Sequence, residues 1–152
     1  MRVLLLNPPS SGIYLRIGLK LPPLGLAYVA AVAERAGHEV RILDLNVAGW
    51  DELTRTIDQL SRNGRGAGGA RLPLVVGISS DTGRYKSATK LATIAKSRGC
   101  IVVMGGYHVT FMYEEVLRSG HADYVVHGEG EYVFANLIDA LESGKDPSEV
   151  HG

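Results

Sequence analysis

The stretch "VVMGGYHVTFMYEEVL" (residues 102–117) runs from an apolar, β-branched segment into two glycines and then into residues with helical spacing. It reads as a buried strand that ends at a turn and continues as a helix, predicted over 113–119. Paired glycines at a strand end expose bare backbone against which something large can lie. The same rhythm recurs along the chain. Short apolar runs at 2–6, 39–43, 74–78, 101–104 and 124–127 are followed by helical patterns at 24–36, 52–62, 85–98, 113–119 and 131–142. Gly37, Gly99, Gly120 and Gly144 stand where helix C-caps would be.

Strands that are apolar almost throughout predict a parallel sheet covered on both faces. With right-handed crossovers the result is an α/β domain, a doubly wound five-stranded parallel sheet of flavodoxin-like (Rossmann-like) order 2-1-3-4-5 with helices on both faces. A chain of 152 residues with 45% hydrophobic content fits one such domain. Sixteen basic residues cancel sixteen acidic ones, and no Lys/Arg run stands out, so the electrostatic footprint of a nucleic-acid binder is missing. The lone Cys100 begins an apolar strand and reads as a buried, inert thiol. No apolar run approaches the roughly 20 residues needed to span a bilayer, and no signal-peptide pattern precedes the first strand. The sequence therefore predicts a soluble, cytoplasmic protein with no membrane or nucleic-acid partner. "NGRGAGGAR" (63–71) reads as a flexible insert.

In sheets of this order, ligands bind beyond the carboxyl ends of the strands, near the switch in strand order. Four segments there are unusual. "NPPSSGIYLRIGLKLPP" (7–23) is far longer than the about two to six residues that normally join a strand to a helix. "SSDTGRY" (79–85), "GGYHVTF" (105–111) and "GEGE" (128–131) bring small and polar residues to the same edge. A dinucleotide site needs G-x-G-x-x-G directly after the first strand, where Asn7-Pro8-Pro9-Ser10-Ser11-Gly12 stands instead. A phosphate-accepting receiver domain would need acids around that strand, and Arg2 to Asn7 contains none. Flavin mononucleotide is the alternative occupant: Ser10, Ser11 and Gly12 offer donors to its phosphate, although Pro8 and Pro9 remove amides from such a cradle.

Five blocks, "LLLNPP", "LPPLGLAYVAAVAERAGHEVRILD", "VGISS", "VVMGGYHVTFMYEEVL" and "ADYVVHGEGEYVF", together resemble the amino-terminal cobalamin (vitamin B12)-binding domain of cobalamin-dependent radical SAM enzymes. That group includes methyltransferases and the anaerobic magnesium-protoporphyrin monomethyl ester cyclase. The resemblance covers almost the whole chain in order. It implies a cobalamin-binding domain at 1–144. Residues 145–152 would begin a linker to a radical SAM catalytic domain, which carries a 4Fe-4S cluster and S-adenosylmethionine. The C-x-x-x-C-x-x-C motif of that domain is absent, since Cys100 stands alone. The implied function is cofactor binding for methyl transfer or cyclisation, without turnover by this chain alone.

The resemblance also implies roles. Gly105 and Gly106 would be bare to let the cobalamin tail pass, with Tyr107, His108 and Val109 just beyond. Ser79 and Ser80 would bond the base or phosphate of the tail, and Gly128, Glu129 and Gly130 would close around the ribose or phosphate. Leu24 and Gly25 would start one wall, with Asn7, Pro8 and Pro9 on the loop after the first strand. The Asp-x-His-x-x-Gly motif that supplies a lower cobalt ligand in other cobalamin domains is missing, because 7–23 holds no histidine. The implied state is base-off, with Tyr14, Leu15 or the segment from Asp81 through Thr82 and Arg84 to Tyr85 covering the lower face. Of the histidines, His108 would hydrogen-bond the tail phosphate or a corrin amide, and His127 would face the same edge. His38, His121 and His151 read as exposed turn residues, and Glu114 with Glu115 as an exposed first helical turn.

Overall fold

The structure, a computed structural model, describes residues 1–10, 22–62 and 72–152; Tyr14, Leu15 and the 63–71 insert lie outside the described residues. Its strands are β1 (Arg2–Asn7), β2 (Glu39–Asp44), β3 (Val75–Ser79), β4 (Ile101–Gly105) and β5 (Tyr124–Val125). Its helices are α1 (Leu24–Arg35), α2 (Trp50–Arg62), α3 (Tyr85–Lys96), α4 (Tyr107–Arg118) and α5 (Gly130–Ser143), with 3-10 turns at Thr82–Arg84 and Pro147–Glu149. All strand pairs are parallel, in the order β2-β1-β3-β4-β5 that the apolar runs predicted.

The period of two along each strand divides the core. Leu4, Leu6, Val76, Ile78, Val102 and Met104 face α2, α3 and α4. Val3, Leu5, Val75 and Val103 face α1 and α5. α1 buries Ala30 and Ala33, whose short side chains let it lie close to the sheet and to α5. Cys100 is buried, as expected, and burial pushes its thiol pKa up. Among the described residues, no helix is long and apolar enough to cross a membrane.

Three expectations change. α4 begins at Tyr107, six residues ahead of the periodic pattern, so most of "GGYHVTF" is helix and not loop. Gly106 adopts φ 97°, ψ 179°, and its carbonyl accepts from the Thr110 N–H at 2.9 Å, which starts the helix at once. The backbone then leaves helical geometry at Met112 (φ −121°, ψ 25°), which breaks the side-chain period and explains why only the later half read as helix. Glu114 and Glu115 consequently sit in the second half of α4, where Glu114 pairs with Arg118. β5 is only two residues long, shorter than the 124–127 run.

His38 is the third correction: it is buried and not an exposed turn residue. Its Nδ1 lies 3.1 Å from the Met1 amino group and 3.3 Å from Glu142, and its Nε2 lies 3.2 Å from Asp139. Both carboxylates come from α5, so the tertiary packing of α5 over the start of β2 encloses the ring. Local sequence carries no sign of it.

A Cβ on Gly106 would lie 2.8 Å from the Ser80 carbonyl oxygen and 3.0 Å from its nitrogen, in a φ/ψ region open only to glycine. Gly106→Ala is expected to lower the unfolding free energy by about 1–3 kcal/mol in urea titration. Parent-like stability would show that the turn relaxes freely.

Candidate functional site

At the carboxyl edge of the sheet, where strand order reverses between β1 and β3, lies a cavity of about 1220 Å³. Its floor is set by strand register. Leu5, Gly77 and Val103 are direct neighbours across β1, β3 and β4 and share the face toward α1 and α5. The missing side chain at Gly77 makes room in this row for Leu5 Cδ2 and the edge of the Phe134 ring, which lie where its Cβ would stand. Leu26 and Val29 of α1, with Phe134 of α5, form the opposite wall. The result is an apolar slot between sheet and helices. A glycine inside an otherwise apolar strand signals a close backbone approach; in "VGISS" that signal was present but not singled out in the sequence.

Above the slot the lining turns polar. Ser79 ends β3 and Ser80 begins the turn after it, Gly105 ends β4 and Gly106 follows, and Gly128 and Glu129 lead into α5 at Gly130. The first two turns are tied together, since the Ser80 N–H donates to Gly105 O at 2.9 Å and the His108 N–H to Ser80 O at 3.2 Å. The Gly128 N–H donates to Thr110 Oγ1 at 3.1 Å, which fixes the third turn against α4. Asn7, Gly25, Asp81, Thr82, Arg84 and Tyr107 also line the cavity.

Other expected residues stand elsewhere. Val109 is fully buried in the core against the three-helix face. His108 is not part of the lining: its Nδ1 lies 3.2 Å from Thr82 Oγ1 and its ring sits 4.1 Å from that of Tyr85. His127 packs edge-on against Tyr113. Pro8, Pro9, Leu24 and Tyr85 are beside the lining and not part of it.

Arg84 is held on two sides. Its Nε and Nη2 lie 2.7 Å from Asp81 Oδ2, and its Nη1 donates to Asn7 Oδ1 at 2.8 Å. Burial opposes ionisation of Asp81, but the hydrogen bond and charge of Arg84, with the backbone N–H groups of Arg84 and Gly83, outweigh it and hold the carboxyl below its usual 3.8. Asn46, which sequence reading did not single out, joins the lining and accepts from the Ser10 N–H at 2.7 Å. That bond removes the Ser10 amide from any phosphate cradle. A cavity of about 1220 Å³ also exceeds the roughly 300–1000 Å³ that suits drug-sized ligands. The geometry therefore fits a large amphipathic cofactor, and with the Ser10 amide already engaged the flavin alternative is not supported.

Comparison with known proteins decides between large cofactors. Residues 11–138 match the B12 binding domain model. The chain belongs to the B12-binding domain family. It is 35% identical over its whole length to an uncharacterized methyltransferase of Pyrococcus horikoshii, of which it covers 32%. It is 34% identical, again over its whole length, to the anaerobic magnesium-protoporphyrin IX monomethyl ester cyclase of Synechocystis, covering 30% of that protein. The chain thus spans about a third of the length of these relatives. Among solved structures, 99% of it superposes on 26% of the radical S-adenosylmethionine methyltransferase TsrM from Kitasatospora setae, with TM-score 0.77 and 22% identity. The cobalamin-dependent radical enzyme OxsB gives TM-score 0.74 at 19% identity over 99% of this chain and 20% of that one. Both share the fold. The B12 family's cofactor is cobalamin, and the deep apolar slot under a polar rim fits it.

The Asp81–Arg84 pair gives this B12-binding domain a definite acid response. A folded pKa below the unfolded value means that the stabilisation is complete above about 3.8 and is lost as pH falls through the folded value. Parent and Asp81→Asn are expected to differ in thermal stability at neutral pH and to converge in acid below 3.8. Curves that stay parallel throughout would show that the ion pair does not set the difference.

Proposed function

We propose that this chain is the cobalamin module of a larger radical SAM enzyme of methyl-transfer or cyclisation chemistry, and that it holds the cofactor base-off in a one-to-one complex. The carrying observation is the slot floored by Leu5, Gly77 and Val103. It is deep and apolar enough for the cofactor's nucleotide tail, while the polar turns above it offer donors and acceptors to base, ribose and phosphate. Ser79 and Ser80 would bond the tail, Gly105 and Gly106 would admit it, and the Gly128–Gly130 turn would close over it. When bound, cobalamin supplies a cobalt centre able to carry a methyl group. The protein's own share would be to exclude water from the slot and to hold the cofactor at the rim, where Arg84 and Tyr107 stand.

The catalytic partner in this reading is a radical SAM domain in the same polypeptide, carrying S-adenosylmethionine and a 4Fe-4S cluster. Its support lies in the coverage of relatives and in the surface. Leu24 and Tyr28 of α1, Tyr107 and Phe111 of α4, and Tyr132 of α5 are large, apolar and well exposed, and all lie within the first five residues of helices that start at the cavity edge. Such clustering on one edge marks a surface that another body covers. Residues 145–152 would lead toward it; Gly152 O accepts from the His127 N–H at 3.0 Å, on that same edge.

Mixing with hydroxocobalamin and then gel filtration is expected to leave the protein coloured with one equivalent and a base-off spectrum, whereas flavin mononucleotide passes through unbound. A base-on spectrum would reject entry of the tail into the slot, and loss of colour would reject the reading altogether. The Co(II) form is expected to lack nitrogen superhyperfine splitting in electron paramagnetic resonance, in the parent and in His108→Ala alike. A triplet that disappears in His108→Ala would make His108 a cobalt ligand.

Gly77→Ala tests the slot directly. The new Cβ would come within 2.6 Å of Leu5 Cδ2 and 3.1 Å of Phe134 Cζ, both ends of flexible side chains that line the cavity and must shift. The fold is expected to persist while affinity falls by about tenfold or more, the effect of ~1.4 kcal/mol. Undiminished binding would place the tail elsewhere.

A further inference from the structure

Behind the cavity wall stands a carboxylate that does not itself line the cavity. Asp44 ends β2, directly opposite Asn7 at the end of β1. Its Oδ1 accepts three hydrogen bonds, from Asn7 Nδ2 at 2.9 Å, from the Asn46 backbone N–H at 2.9 Å and from Asn46 Nδ2 at 2.8 Å. The other ends of both amides reach the cavity: Asn7 Oδ1 accepts from Arg84 and Asn46 Oδ1 from the Ser10 N–H.

A carboxylate can only accept, so each asparagine must turn its NH₂ toward Asp44. Each must then present its oxygen on the far side. A guanidinium only donates, and so does a backbone N–H, so the two outer partners are matched to that polarity. One acceptor-only group thereby sets the direction of two amides, one aiming Arg84 and the other pinning the entrance of the long loop after β1.

We propose that Asp44 is a positioning residue of the cobalamin site, acting through Asn7 on Arg84 and through Asn46 on the Ser10 segment. The inference rests on the cofactor reading above and adds a residue to it. Asp44→Asn is the informative change, because it keeps the shape yet offers an amide that can face either way. Both neighbouring asparagines are then free to reverse, and Arg84, still paired with Asp81, loses the fixed orientation of its second acceptor, Asn7 Oδ1.

The experiment has two arms. In the first, hydroxocobalamin affinity of Asp44→Asn is expected to fall about tenfold, through faster release, with little change in thermal midpoint. The same change made on Asn7→Ala is expected to lose clearly less, since one of the two relays is already cut. The second arm needs no cofactor: in nitrogen-15 NMR of the free protein, the Asn7 and Asn46 side-chain amides, and the Arg84 Nη1 protons that bond Asn7, are expected as single, slowly exchanging signals that broaden or double in Asp44→Asn. Unchanged NMR signals would overturn the proposal, as would parent-like affinity or fully additive losses. If the parent binds no cobalamin, the cofactor reading fails by itself, and the NMR arm alone decides whether Asp44 orders the two amides.

Discussion

Leu5, Gly77 and Val103 stand side by side on three adjacent strands, and the absent side chain in the middle of that row is the constraint on which the site depends. Parallel pairing fixes the row, because slipping β3 by one residue would turn Gly77 to the opposite face and bring a large side chain into its place. The order of the strands fixes where the row opens. β1 sends its helix to one face while β2 returns to β3 across the other, so the helices diverge next to β1 and β3. Space at that point is a consequence of topology, and Gly77 lets the ends of Leu5 and Phe134 settle against the sheet beneath it.

The polar rim follows from the same edge. Each strand ends by handing its last residue to a turn, and those residues, Asn7, Asp44, Ser79 and Gly105, pair laterally across the sheet. Asp44, Asn7, Arg84 and Asp81 then alternate acceptor, amide, cation and acceptor along it. Alternation of this kind is self-consistent only in one direction, which makes the rim rigid while the apolar slot below it is lined by side chains free to adjust. A rigid polar edge over a compliant apolar slot suits a ligand whose charged and apolar parts must be placed independently.

The sheet order, the alternation of strands and helices and most boundaries were legible because they depend on periodicity and on glycines at helix ends. The cavity edge was legible for the same reason, since a doubly wound sheet offers one such edge. What escaped was set by contacts between distant residues. His38 is enclosed by Asp139 and Glu142, and neither its neighbours nor its spacing foretells that. The start of α4 depends on the conformation of Gly106 and the break at Met112, which together erase the period of 3.6 that would have revealed it. Asp44 and Asn46 read as the ordinary polar end of a strand, and their part emerges only when the register sets them beside Asn7 and Ser10.

The two glycine signals answer to different demands, and the direction of the missing Cβ separates them. At Gly106 a Cβ would strike the backbone of Ser80, so the glycine serves the turn that joins β4 to α4 as well as the cavity it borders. At Gly77 a Cβ would meet only the movable ends of Leu5 and Phe134. Backbone that cannot yield makes Gly106 a requirement of folding, whether or not any ligand is present. Side chains that can yield make Gly77 less costly to the fold than Gly106, and what their yielding would change is the floor of the cavity they line. Bare backbone beside a cavity thus points to a ligand most strongly where the fold itself has less need of it.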